Sequence, residues 1–261
     1  MHEQEHTITN RQQLRVVLTT NICKNQQGLA FITHGLGGFQ DQEHIQAIKQ
    51  AFLENNISTV TFDTTHSFGR SEGSYKEATA TKSQEDLEDV ISWAKKQSFY
   101  EEPYFLAGHS LGGLSSLVHT QKHPTRVRAI APISAVTNGK KSQEQRGEEV
   151  LANWKKTGYL TQPSKSKPGV IKKLCYEPFN SDMLGQNTLQ QAHTMKCPVL
   201  LIVGENDSGT PQEDQQELYD KLQTNKKLHV IKQAPHTFRE EKHLQELKEV
   251  ISNWLKEITR T

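Results

Sequence analysis

The sequence predicts an α/β fold in which a mostly parallel sheet carries helices on both faces. Short apolar runs of strand length alternate with longer segments of helical period, an order of elements that builds a parallel sheet. The chain has 261 residues, which is enough to bury one sizeable core, so we expect a single domain over 1–261. No Gly/Ser-rich linker and no internal repeat divides the sequence.

Charge and composition exclude several functional classes. The 31 Lys and Arg residues nearly cancel the 30 Asp and Glu residues, which leaves a net charge of +1 and no sign of a nucleic-acid partner. No stretch approaches the roughly 18 apolar residues of a membrane span, and no signal peptide is recognisable. We therefore expect a cytoplasmic location. Three cysteines, far apart in the chain, predict neither a disulfide framework nor a zinc site.

The first elements are strands at Leu14–Thr20, Gly28–Thr33 and Ile57–Phe62. The second strand opens into the glycine-rich loop His34-Gly35-Leu36-Gly37-Gly38. Such a loop can present a backbone N–H to a negatively charged oxygen, and we assign that N–H to Leu36. The alternative is a phosphate cradle. It is disfavoured because no G-K-[ST] follows and Gln40 occupies the last position of G-x-G-x-x-G.

The next elements place a serine at a sharp turn. A helix through Leu87, with Thr81 or Ser83 as its N-cap, precedes a strand at Tyr104–Gly108. The strand leads into Gly108-His109-Ser110-Leu111-Gly112, and a helical pattern follows. This strand-turn-helix setting is the context that the G-x-S-x-G motif requires. We predict Ser110 as the nucleophile and the N–H of Leu111 as a second donor. The alternative is a glycine-rich turn with a solvated serine.

A strand at Val127–Ile133 is followed by a segment that breaks the regular alternation. We interpret this segment, at about 137–191, as a cap inserted over the carboxyl edge of the sheet. Its aromatic side chains are candidates for substrate binding, and the alternative is that they only fasten the cap to the body. These candidates are Trp154, Tyr159, Tyr176 and Phe179.

A serine hydroxyl needs a general base beside it and an acid that orients the base. The strand at Pro198–Val203 ends in a loop with Asp207, our candidate acid. Glu205 is the alternative acid, and Asp207 could instead cap a turn or helix before Pro211. The strand at Leu228–Gln233 is followed by His236, our candidate base, and by a last helix at about 240–258.

Other histidines fit structural roles. His229 lies within a strand pattern and His243 within a helical pattern. His119 and His123 are four residues apart on a predicted helix, but Thr120 stands where a zinc protease helix carries Glu. We therefore predict no metal and no cofactor.

The ordered motifs resemble the α/β-hydrolase family. The resemblance is carried by His34-Gly35-Leu36-Gly37-Gly38, Gly108-His109-Ser110-Leu111-Gly112-Gly113, the Gly204 to Pro211 loop with Asp207, and His236. Within the family, the segment at 63–73 and the mid-chain insertion resemble the corresponding parts of bacterial feruloyl or cinnamoyl esterases. They are also similar to serine aminopeptidase-like and monoacylglycerol-lipase-like members. Pro235 departs from the pattern, because many relatives carry Gly there.

Together these features predict a serine hydrolase, a carboxylesterase that works through an acyl-enzyme on a small-molecule ester. A peptidase or thioesterase with the same residues is the first alternative, and a non-catalytic ligand-binding module is the second. A homodimer is a further hypothesis. Between Thr137 and Gly185 the chain has nine Lys or Arg residues against five acidic ones. We expect this excess to form a solvated basic face, with attraction of anionic esters as the alternative.

Overall fold

The computed structural model describes residues 2–164 and 167–259. Eight strands form one sheet in the order β1-β2-β4-β3-β5-β6-β9-β10, and β7 pairs with β8 in a separate hairpin. The strands are β1 (His2–Thr9), β2 (Arg15–Ile22), β3 (Leu29–Thr33), β4 (Ser58–Phe62), β5 (Tyr104–His109), β6 (Val127–Ile133), β7 (Tyr159–Pro163), β8 (Ile171–Cys175), β9 (Val199–Gly204) and β10 (Lys226–Ile231).

The helices connect these strands. They are α1 (Glu43–Leu53), α2 (Ala80–Ala94), α3 (Leu111–Lys122), α4 (Gly139–Glu144), α5 (Glu148–Thr157), α6 (Tyr176–Leu184), α7 (Gln212–Lys221) and α8 (Glu241–Thr259), with single 3₁₀ turns at Tyr75–Glu77 and Ala192–Thr194. Within residues 2–164 and 167–259, none of the helices combines the length and the apolar character that crossing a bilayer requires.

The prediction of a mostly parallel sheet is confirmed. In the eight-stranded sheet, β4, β3, β5, β6, β9 and β10 run parallel to one another, and β2 is antiparallel to both β1 and β4. Alternate residues of each strand face opposite layers. Phe31 packs with α2 and α3 on one side, and Ile32 packs with α1 and α8 on the other. Both faces are therefore buried, as parallel sheets require.

The structure adds elements that the sequence did not predict. Strand β1 is an edge strand of exposed polar residues, so it shows no apolar alternation. The helix predicted behind Thr81 or Ser83 has a different N-cap. Thr79 has extended backbone and its hydroxyl accepts from the N–H of Lys82. The hydroxyl of Ser83 instead bonds that of Ser115, 3.1 Å away on α3.

The segment at 137–191 holds four short elements packed over the end of the sheet. Helices α4 and α5, the β7–β8 hairpin and α6 all lie between β6 and β9 in the chain. Their apolar side chains share a third cluster with Leu111 and Leu114 of α3 and with Tyr75. This cluster fixes the segment directly above the start of α3.

A buried polar network ties the β1–β2 turn to α2. The amide of Asn10 donates to Asp86 at 2.8 Å, and its oxygen accepts from the N–H groups of Gln12 and Leu14. Asp86 also accepts from the N–H and hydroxyl of Thr65 at 2.6 and 2.8 Å. Burial raises the pKa of Asp86 to about 6, although the bonds from Asn10 and Thr65 lower it.

We expect Asp86→Ala to lower the free energy of unfolding by about 3 kcal/mol. It leaves three buried donors without an acceptor, and each unsatisfied donor costs about 1 to 3 kcal/mol, part of which water entering the cavity recovers. Ser92→Ala on the exposed face of the same helix is the control and should change stability by less than about 0.5 kcal/mol. Urea unfolding measures both. Equal effects in the two variants would contradict a structural role for this network.

Candidate active site

Ser110 lies at the sharp turn between β5 and α3. Its backbone has φ 55° and ψ −113°, a conformation that residues other than glycine rarely adopt. Strand β6 and the residues after it hold the turn. The N–H of Ser110 donates to the carbonyl of Ile133 at 2.9 Å, and its carbonyl accepts from Val136 and Leu114. The strained turn is thus fixed on both sides.

The glycines of the motif are required by close backbone packing. A Cβ at Gly108 would lie 2.3 Å from the carbonyl oxygen of Gly112. A Cβ at Gly112 would lie 2.2 Å from the carbonyl oxygen of Thr33, at the end of β3. The turn therefore packs backbone against backbone, and it presses against the strand that leads into the His34–Gly38 loop.

Three residues from separate loops form a hydrogen-bonded chain. The Nε2 of His236 lies 3.1 Å from the Oγ of Ser110, and its Nδ1 lies 2.8 Å from Oδ2 of Asp207. The three residues follow β5, β9 and β10, whose carboxyl ends meet at one edge of the sheet. Parallel strands therefore bring together residues that are up to 126 positions apart.

Asp207 is held as a carboxylate by several donors. It is 3% exposed and accepts from the N–H groups of Gly209 and Thr210 at 2.9 Å and from the Thr210 hydroxyl at 2.8 Å. Burial raises its pKa, but the hydrogen bonds from His236 and Thr210 outweigh burial and the pKa falls below its usual value. Glu205, the alternative acid, is exposed and accepts from the N–H of Gln233.

His109, the residue before Ser110, supports the loop that carries His236. Its Nε2 donates to the carbonyl oxygen of His236 at 2.7 Å. The ring of His109 lies between those of His44 and His236, at centroid distances of 4.5 and 4.7 Å. Burial lowers the pKa of His109 well below its usual value and that of His44 to about 3. Both rings are therefore neutral at pH 7.

The His34–Gly38 loop is fixed by its own histidine. The Nδ1 of His34 donates to the carbonyl of Gly35 at 2.8 Å, and its Nε2 accepts from the N–H of Thr64 at 3.0 Å. Burial lowers the pKa of His34, in keeping with this neutral tautomer. The N–H groups of Leu36 and Leu111 donate to no other group in the part of the chain that the structure describes.

A cavity of about 290 Å³ opens beside Ser110. It lies between the carboxyl edge of the sheet and the segment at 137–191. Its floor includes the candidate residues Leu36, Ser110, Leu111 and His236, whereas Asp207 is behind His236. The 137–191 segment and the helical turn at Tyr75 supply part of the remaining wall, which includes Tyr75, Val136, Gln145, Arg146, Leu160, Gln162, Lys172, Leu174, Phe179 and Met183.

The four aromatic residues predicted to bind substrate occupy different positions. Phe179 lines the cavity. Trp154 is fully buried behind it, with ring centroids 5.8 Å apart, and donates to the carbonyl of Leu174. Tyr176 packs edge-on against Trp154 at 5.5 Å. Tyr159 is 40% exposed on the β7–β8 hairpin, outside the cavity.

Several cavity residues carry no motif in the sequence. Tyr75, Arg146, Lys172 and Arg239 all line the cavity. They come from four different elements or loops, and tertiary packing brings them near Ser110: Arg146 and Lys172 come from the 137–191 segment, Tyr75 from a helical turn before α2, and Arg239 from the loop before α8. Within the described residues, no Asp or Glu lines the cavity. The cavity is therefore positively charged.

One cluster in the described part of the chain has metal-ligating residues. Glu88, His119 and His123 offer ligand atoms within 4.8 Å of one another on α2 and α3. They do not line the cavity. The carboxylate of Glu88 already lies 3.3 Å from the ammonium of Lys122 and 3.1 Å from the guanidinium of Arg11. The cluster thus takes no part in the arrangement around Ser110.

Comparisons with known sequences identify a family and relatives of this chain. A family model described as serine aminopeptidase, S33, matches residues 24–170 and 181–243. An uncharacterised 31.7 kDa protein of the traX-finO intergenic region of Escherichia coli is 25% identical over 225 residues, which cover 74% of this chain and 77% of that protein.

Two solved structures show the fold. Est1E from Butyrivibrio proteoclasticus with bound ferulic acid has a TM-score of 0.82 at 21% identity, over 98% of this chain and 100% of that chain. Mouse alpha/beta hydrolase domain-containing protein 10 has a TM-score of 0.79 at 20% identity, over 98% and 99% of the two chains. The fold is therefore the α/β-hydrolase fold.

We expect Gly112→Ala to destabilise the chain by more than about 3 kcal/mol, because the new Cβ would collide with backbone that cannot move aside. Gly185→Ala is the matched control. A Cβ there meets its nearest atom at 3.4 Å and the backbone is right-handed helical, so its effect should stay below about 1 kcal/mol. Thermal unfolding measures both variants. A Gly112→Ala protein as stable as the control would refute the packing described for the turn.

Proposed function

Because the chain belongs to the serine aminopeptidase, S33, family of α/β hydrolases, we propose that it is a serine hydrolase that cleaves carboxylic esters. The observation that carries this proposal is the hydrogen-bonded chain from Ser110 through His236 to Asp207, with two unengaged backbone N–H groups in the same cavity. This combination supplies a nucleophile, a base, an orienting acid and donors for a negative oxygen.

In the proposed mechanism, His236 makes Ser110 nucleophilic. Its Nε2 accepts the hydroxyl proton as Oγ attacks the ester carbonyl carbon, and the carbonyl oxygen becomes negatively charged. The N–H groups of Leu36 and Leu111 would stabilise that oxygen, since both lie in the cavity with Ser110. The imidazolium then gives the proton to the leaving alcohol, and the acyl group stays on Ser110.

Water completes the cycle. His236 takes a proton from the water as its oxygen attacks the acyl carbon, and returns the proton to Oγ as the acid leaves. Asp207 holds the Nδ1–H of His236 throughout and offsets the imidazolium charge. Its lowered pKa keeps it ionised at neutral pH, which the stabilising role requires.

The cavity wall supports an ester rather than a peptide with a free amino terminus. An aminopeptidase must bind the ammonium of its substrate, and a carboxylate is the usual partner for such a cation. The described residues place no carboxylate on the wall, whereas Arg146, Lys172 and Arg239 are there. Leu36, Phe179 and the neighbouring apolar residues suit an acyl or aryl group. A thioesterase is the second candidate, because it would use the same nucleophile, base, acid and N–H donors.

The segment at 137–191 is proposed as the cap that sets substrate choice. It supplies nine of the 24 residues that line the cavity, including Phe179 and Arg146. Trp154 packs behind Phe179 and Tyr176 packs against Trp154, so both would act on the cavity indirectly. Tyr159 lies outside the cavity and is not assigned a contact with substrate.

We expect Ser110→Ala to lower kcat/KM for 4-nitrophenyl butyrate by at least about 10⁴-fold, because no other group in the proposed mechanism forms the acyl bond. The variant should keep the thermal stability of the parent within about 1 kcal/mol. A fluorophosphonate should label the parent chain and not the variant, with the adduct mapped by mass spectrometry. Labelling at another serine, or unchanged turnover, would refute the assignment.

We expect Asp207→Asn to lower kcat by about 10³ to 10⁴-fold, because an amide favours the wrong tautomer of His236 and cannot balance its positive charge. Glu205→Gln is the matched control, two residues away on the same loop and exposed. It should stay within about threefold of the parent. Steady-state kinetics on one activated ester compare the two, and a larger loss in Glu205→Gln would reverse the assignment of the acid.

A further inference from the structure

Arg146 places an unpaired positive charge in the cavity wall. Its Nε is buried and has no hydrogen-bond partner, and no carboxylate in the described part of the chain forms an ion pair with its guanidinium. The guanidinium carbon lies 5.4 Å from the ring centroid of Trp154 and 5.9 Å from that of Phe179. Burial lowers the pKa of Arg146, but a guanidinium stays protonated at neutral pH.

Neighbouring cations in the same segment, unlike Arg146, form ion pairs with acidic side chains. Lys141, five residues earlier, forms ion pairs with Asp214 and Glu217. Lys140 is largely exposed and pairs with Glu144. Contacts with aromatic rings offset only part of the cost of removing a cation from water. Of the three cations in α4 and its C-terminal turn, Arg146 is thus the one that lacks an anionic partner among the described residues.

The charge has access to a ligand. Arg146 lines the cavity that contains Ser110, and Lys172 and Arg239 line it as well. Lys172 lies 5.9 Å from the ring centroid of Tyr75, and Arg239 donates to the hydroxyl of Thr237. The field inside this low-dielectric cavity therefore favours a negatively charged ligand.

We infer that the substrate is an ester that also carries a carboxylate, and that Arg146 is the residue that binds this carboxylate. The inference rests on the proposed function, since it describes the substrate of the same site. The planar guanidinium lies against two neighbouring aromatic rings, and its fork matches the two oxygens of a carboxylate. Binding would supply the partner that the guanidinium lacks.

A monoanion of modest size fits best. Arg146 has a buried Nε without a hydrogen-bond partner among the described residues, and a single carboxylate supplies both the negative charge and the two acceptors that its fork requires. The volume of about 290 Å³ is at the small end of ligand cavities. A half-ester of a short dicarboxylic acid, or an ester of a carboxyphenol, meets both conditions.

Two matched pairs of esters test the inference. In the first pair the charge is on the acyl side: mono-4-nitrophenyl adipate against its methyl ester. In the second pair it is on the alcohol side: 4-acetoxybenzoate against methyl 4-acetoxybenzoate. We expect kcat/KM to favour the anionic ester by at least about tenfold in one pair, the size expected for a charged hydrogen bond. The pair that responds identifies which side of the substrate contacts Arg146.

The variants separate this contact from general charge. Arg146→Met should bring the anionic preference to within about twofold of unity, and Arg146→Lys should keep part of it, since lysine retains charge but not the fork. Lys140→Met removes an exposed charge from the same segment and should leave the preference unchanged. Equal rates for both members of both pairs, or an Arg146→Met enzyme with the parental preference, would overturn the inference.

A binding measurement keeps the test independent of turnover. Calorimetric titration of Ser110→Ala with monomethyl adipate and with dimethyl adipate should show tighter binding of the acid, and adding Arg146→Met should remove the difference. If no ester is hydrolysed and the fluorophosphonate leaves Ser110 unlabelled, the proposed function fails. The calorimetry then still decides whether the cavity binds a carboxylate through Arg146, and equal affinities would overturn that as well.

Discussion

The contact on which the site depends is the one between two backbones, where the turn after β5 meets the end of β3. Gly112 lies against the carbonyl of Thr33 so closely that no side chain fits between them. One side of this contact carries Ser110, and the other side leads directly into His34 and the loop with Leu36. The candidate nucleophile and one candidate donor are therefore positioned by a single packing interaction. The parallel pairing of β3 with β5 holds the two backbones next to each other.

Much of the sheet and the residues around Ser110 could be predicted from the sequence. Buried strands are short apolar runs, and the turn at Ser110 needs glycines at set positions, so both leave local signals. The side chains of the cavity wall leave no such local signal in the sequence. Phe179 reaches the cavity while Trp154 lies behind it, and Arg146 belongs to a polar helix end. These placements depend on how the 137–191 segment packs, which is a long-range property. Strand β1 was missed because its exposed side chains lack apolar alternation.

Three of the charged groups with buried atoms in the described part of the chain have different kinds of neighbours. Asp86 accepts from neutral donors, and burial raises its pKa to about 6. Asp207 accepts from His236 and Thr210, and these bonds hold its pKa below the usual value despite burial. Arg146 has aromatic neighbours and no anion among the described residues. The first stabilises the packing of α2 and the second holds His236, while we assign the third to the binding of a substrate carboxylate.

The bond from His109 to the carbonyl of His236 has a consequence for the Pro235 position. It ties the base loop to the residue beside Ser110, while Asp207 holds the imidazole from the other side. The loop is thus held at His236, and the backbone that leads from β10 to His236 does not need to be flexible. Proline, which restricts the backbone and offers no N–H, is compatible with that arrangement, and Phe238 closes the turn by donating to the Pro235 carbonyl. The imidazole of His236 therefore takes its position from bonds to residues outside its own loop.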